Sequence, residues 1–74
     1  MTSIYDQLYR ELLRRLKEAR LQSGLTQVQA ARRLRKYVTY ISKCESGERR
    51  LDVLELEKLA DIYGKKIGWF IPKK

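Results

Sequence analysis

Apolar residues recur along this chain at helical spacing in four runs, each bounded by residues that start or stop helices. Ile4, Leu8, Leu12, Leu16 and Ala19 form the first stripe, widened by Tyr5, Tyr9 and Leu13. Ser3, with Asp6 three residues on, reads as a short capping box, and Gly24 ends a helix that runs to Gln22 or Ser23. Thr26 caps a second helix carrying Val28, Ala30, Ala31 and Leu34. A third helix, about Val38 to Glu45, has only Ile41 and Cys44 on its apolar side, and Gly47 stands where a left-handed stop belongs. Asp52 and Glu55 make another capping box for a fourth helix, with Val53, Leu56, Leu59, Ala60 and Tyr63, stopped by Gly64. A short last helix, about Lys66 to Ile71, presents Ile67, Trp69 and Phe70 ahead of Pro72. The expected fold is all-α, a compact five-helix bundle.

Length narrows this further. At 74 residues the chain has room for one core, so residues 1–74 read as a single domain. No apolar run approaches the length of a membrane span, and the start, MTSIYDQLYRELLRR, lacks a secretory apolar region. One cysteine cannot form an internal disulfide, which leaves packing to stabilise the domain and fits a reducing, cytoplasmic setting.

Charge changes the picture more. Seventeen Lys and Arg against nine Asp and Glu give +8, with a pI near 9.9, which favours a polyanionic partner. Between Thr26 and Arg50 the bases Arg32, Arg33, Arg35, Lys36, Lys43, Arg49 and Arg50 face only Glu45 and Glu48, so this segment carries +5 of the +8. It coincides with the second and third helices and the tight turn between them. The third helix puts Thr39, Ser42 and Lys43 on the side away from Ile41 and Cys44, with Val38 at its start.

In that segment LTQVQAARRL followed by YISKCESGERRLDV resembles the helix-turn-helix of the lambda-repressor-like family, the Cro and Xre type. The resemblance runs from about Leu16 to Phe70. Its most specific parts are Leu25-Thr26-Gln27, Ala31, Ile41-Ser42-Lys43, Glu45 to Arg50 and Trp69-Phe70. It implies a protein that binds double-stranded DNA with helix 3 as recognition helix, a small transcriptional regulator and, most simply, a repressor, nucleoid-associated if bacterial. Helix 1 starts earlier than the family domain requires, so residues 1–10 are an N-terminal extension and residues 72–74 a basic tail.

The major groove admits an α-helix and shows a distinct donor and acceptor pattern for each base pair. Lys43 suits guanine O6 and N7, Thr39 can bond a base and meet a thymine methyl, and Ser42 is a third polar candidate. Val38 offers apolar contact alone. For phosphates the candidates are Gln27, at a helix N-terminus that already favours anions, then Arg49, Arg50 and Lys36, with the hydroxyls of Tyr37 and Tyr40. In resembling proteins the glutamine at the place of Gln27 commonly touches the DNA backbone. A glutamate at the place of Glu45 pairs there with an arginine near the end of helix 1, which implies a structural Arg20–Glu45 ion pair. Two-fold dimers on half-sites one turn apart are usual for such repressors, and Trp69, Phe70, Ile71 or helix 1 would supply the interface.

Three turn positions depart from the pattern. Arg35 stands where Gly or Asn is frequent, at about 1 kcal/mol if its φ is positive. Tyr37 replaces a residue that caps helix 3, and Val38 replaces a polar base reader. Cys44 reads as a small buried hydrophobe. An enzyme is disfavoured, with no His, no base to activate the lone Cys, no phosphate-cradling glycine loop and no metal-ligand cluster; no cofactor or small-molecule ligand is implied. A membrane-surface role for the basic, amphipathic helix 1 conflicts with the bundle's need for the same stripe. The competing reading is a protein-interaction or antitoxin-like module on the same fold.

Overall fold

The computed structural model describes residues 4–73, with side chains from Asp6 onward; the expected Ser3 cap lies outside them. Four α-helices follow in order, α1 Ile4–Gln22, α2 Gln27–Leu34, α3 Val38–Ser46 and α4 Val53–Tyr63, and a 3₁₀ turn at Ile67–Phe70 closes the chain. The five-helix expectation is thus corrected at its last member, a single tight turn. Gly68 gives that turn little helical propensity. Pro72 disfavours the α region for the residue before it, and Ile71 is extended at φ −86°, ψ 112°.

The other helices begin and end on side-chain chemistry. Thr26 accepts from the Gln29 N–H while the Gln29 side chain accepts from the Thr26 N–H, a complete capping box. Asp52 and Glu55 do the same for α4. Gly47 ends α3 at φ 86°, where a β-carbon would stand 2.9 Å from Leu13 Cδ1 of α1, so glycine serves both the left-handed stop and the close approach. Arg35 ends α2 in the same left-handed region, φ 56° and ψ 44°, without glycine's freedom.

One core joins the elements: Leu16 and Ala19 from α1, Ala30 and Ala31 from α2, Ile41 and Cys44 from α3, Leu56, Leu59, Ala60 and Tyr63 from α4, and Phe70. Two apolar positions expected inside lie outside. Val28 is 49% exposed because it sits about 120° round α2 from Leu34. Val53 is 65% exposed because, as the first residue of α4, its side chain leans past the end of the buried face. Arg15 ties the chain's end to α1, donating to the carbonyls of Trp69 (3.1 Å) and Ile71 (3.4 Å).

Candidate DNA interface

Two buried side chains, Ile41 and Cys44, orient α3, and at about 100° per residue the rest follows. Thr39 points directly away from the core. Ser42 and Lys43 flank it, and Val38 lies at the N-terminal edge on the side of Gln27. The Ser42 hydroxyl donates to the Thr39 carbonyl at 3.2 Å, and Lys43 sits 3.7 Å from Glu48 with both side chains largely exposed. An ion pair that exposed holds Lys43 weakly, so a stronger acceptor can take it. Tyr37 precedes α3 without capping it and is 86% exposed.

Behind this face the Arg20 guanidinium meets the Glu45 carboxylate in a two-point contact, 2.6 Å from Nε to Oε2 and 3.2 Å from Nη2 to Oε1. The side chains keep only 8% and 6% of their exposure. Arg20 also donates to the Leu25 carbonyl at 3.0 Å, and the Gln27 amide donates to Glu45 Oε1 at 3.1 Å. The pair therefore joins α1 and α3 and holds the start of α2. The hydrogen bond to Glu45 raises the Arg20 pKa further. In this arrangement Gln27 faces Glu45, so contact with a phosphate requires its amide to turn outward. Tyr63 from α4 is within the electrostatic reach of the pair; burial first, then the Glu45 charge, raises its hydroxyl pKa, and that hydroxyl has no hydrogen-bond partner among the described residues.

A basic rim borders α3 on the side of Tyr40, with Lys36 from the turn before the helix and Arg49 from the loop after it. Lys36 Nζ lies 5.3 Å and the Arg49 guanidinium 5.1 Å from the centre of the Tyr40 ring. The Tyr40 hydroxyl donates to Glu55 Oε2 at 3.0 Å, so contact of this hydroxyl with a phosphate requires it to turn from the carboxylate. Burial, then that bond, raises the Tyr40 pKa. Glu55 also pairs with Arg49 at 2.8 Å and accepts from the Asp52 N–H, and chiefly that backbone bond holds its carboxyl below the usual range. Arg50 stacks on Tyr9 of α1, 4.3 Å from the ring centre, and the Leu51 N–H donates to the Tyr9 hydroxyl.

Several of these roles were not legible in the sequence. Tyr9 lies in the segment read as an extension, yet it braces the loop carrying Arg49 and Arg50. Glu55, read only as half of a capping box, is the hub that fixes Tyr40 and Arg49. Phe70, a candidate interface anchor, is fully buried and closes the core of one chain, with Trp69 edge-on at 5.2 Å; among the named anchors, Ile71 is 49% exposed. Arg32 and Arg33 are both exposed. Cys44 is buried, and that burial raises its thiol pKa. Among the described residues no helix is long and apolar enough to cross a membrane, and no group of three or more His, Cys, Asp or Glu could hold a metal ion.

Comparison with known proteins fits this arrangement. A family model for the helix-turn-helix matches residues 16–70, from the middle of α1 through the closing turn. No curated protein and no solved structure matches the chain. The match covers both helices of the motif, the Arg20–Glu45 pair and the core around them, and the chain belongs to the Cro/C1-type, lambda-repressor-like helix-turn-helix family of DNA-binding regulators.

Proposed function

We propose that this protein binds double-stranded DNA sequence-specifically by laying α3 in the major groove, and that it acts as a small transcriptional repressor by occluding its site. The observation that carries this is the outer face of α3, where Thr39, Ser42, Lys43 and Val38 stand clear of the core on a helix that Ile41, Cys44 and Glu45 hold rigidly from behind. Thr39 and Lys43 read bases, with Ser42 and Val38 beside them. Lys36, Tyr37, Arg49 and Arg50 contact phosphates, and so does Gln27 once its amide turns from Glu45. Two copies bind half-sites about one helical turn apart. Exposed Ile71 and Val53, at the end of the molecule where the closing turn meets α4, supply apolar surface for the contact between them.

Selection of bound duplexes from a random library tests this reading, repeated with Lys43→Ala and Arg50→Ala. Lys43→Ala is expected to relax preference at one base pair. Arg50→Ala should lower affinity for all sequences and reduce the salt slope by about one unit. A Lys43→Ala protein with an unchanged sequence preference would remove Lys43 from the reading face. Failure to enrich any duplex, together with tight capture of a protein partner, would favour the protein-interaction module.

A further inference from the structure

The edge of the reading face nearest Gln27 is apolar. Leu21 at the end of α1, Val28 in the first turn of α2 and Val38 at the start of α3 are 59%, 49% and 40% exposed, and with Leu25 and Gln27 they line one shallow depression of about 490 Å³. The three come from three different helices. None is needed for the core, which closes over Leu16, Ala31 and Ile41 beneath them. An exposed apolar cluster on so basic a surface gains nothing from solvent. On the floor of the major groove, the apolar group that base pairs present is the C5-methyl of thymine.

Position supports that occupant. Val38 is the first residue of α3, and the N-terminal residues of a recognition helix approach base edges most closely. Gln27 lies on the same rim, and its side chain is engaged by Glu45 rather than projecting over Val38. The valine therefore meets the groove as bare hydrocarbon, with no hydrogen-bonding group of its own to offer a base. Thr39 beside it adds a methyl of its own.

Resting on the DNA-binding reading above, we infer that Val38, backed by Val28, selects a thymine at one base pair of each half-site through its C5-methyl group and without a hydrogen bond. The base pair beneath Val38 is read by shape, while Thr39 and Lys43 read their own by donors and acceptors.

The test replaces each thymine of the selected duplex, one at a time, by deoxyuridine, which removes the methyl and leaves every base-pairing hydrogen bond intact. At one position the wild-type protein should lose roughly three- to fivefold in affinity, as expected for one buried methyl group. Val38→Ala should bind the thymine duplex about that much more weakly and be indifferent to uracil there. Val38→Gln should shift preference at the same pair toward adenine. Val38 is exposed, so circular dichroism of these variants should match the wild type. If no thymine shows a uracil penalty that Val38→Ala abolishes, the inference fails while sequence-specific binding stands. If 5-methylcytosine outranks thymine at that position, the thymine assignment fails. If no duplex is preferred at all, both readings fall together.

Discussion

Arg20→Met asks how much of this fold rests on one buried ion pair. The substitution leaves the Glu45 carboxylate with the Gln27 amide as its remaining side-chain donor and strips the Leu25 carbonyl of its guanidinium partner. With 6% of the Glu45 side chain exposed, water offers little compensation. Breaking a buried pair by removing one partner costs about 3–5 kcal/mol. A chain of this length holds roughly 4–11 kcal/mol in total, at about 0.05–0.15 kcal/mol per residue. The loss is therefore a large fraction of the whole, and the melting temperature should fall by at least ~12 °C, at about 4–8 °C per kcal/mol. Thermal unfolding followed by circular dichroism measures it. Arg20→Met/Glu45→Met should be more stable than Arg20→Met, because no charge is then left stranded in the interior. A single-substitution cost below ~1 kcal/mol, the value of an exposed pair, would refute this account. So would a double variant whose loss equals the sum of the two singles, since that additivity means no coupling.

Three further outcomes can be measured. Arg35→Gly should stabilise the domain by ~1 kcal/mol by relieving a left-handed non-glycine residue, and an unchanged denaturation midpoint would contradict that. Gly47→Ala should destabilise by ~1–2 kcal/mol, since its φ is 86° and its new β-carbon would meet Leu13 Cδ1 at 2.9 Å; the Leu13→Ala background should recover the steric part and not the backbone part. Glu11, hydrogen-bonded first by Arg14 and then by Arg15, has its pKa lowered from 4.5 to about 2. Because the folded value is the depressed one, its contribution is full above pH 4.5 and disappears as pH falls toward 2. The stability difference between wild type and Glu11→Gln should accordingly shrink across that window, and a pH-independent difference would count against the assignment.

The motif was legible because its signals are local. Thr26 and Asp52 cap within three residues of themselves, Gly47 and Gly64 stop helices by their own backbone freedom, and Ile41 and Cys44 set the inner side of α3 by spacing alone. The exposed Thr39 and Lys43, with half-buried Ser42 between them, follow from the same periodicity. Val28 and Val53 were misplaced because periodicity ranks positions around one helix and cannot tell where the neighbouring helix stops covering them. The engagement of the Tyr40 hydroxyl was out of reach for a related reason. A tyrosine near a basic turn suggests a free hydroxyl, but Glu55, fifteen residues later, already accepts its proton.

The sequence by itself determined a helical domain of this family and the outward side of its recognition helix, since helix periods, caps and charge excess reside in neighbouring residues. Only the tertiary structure decided how the polar groups of the motif are partnered within the chain. Gln27 is held by Glu45, Tyr40 and Arg49 by Glu55, and Arg50 by Tyr9, while Leu21, Val28 and Val38 from three helices form one apolar edge. Most of those contacts link residues distant in the chain, and the packing angles that create them leave no signature in local spacing.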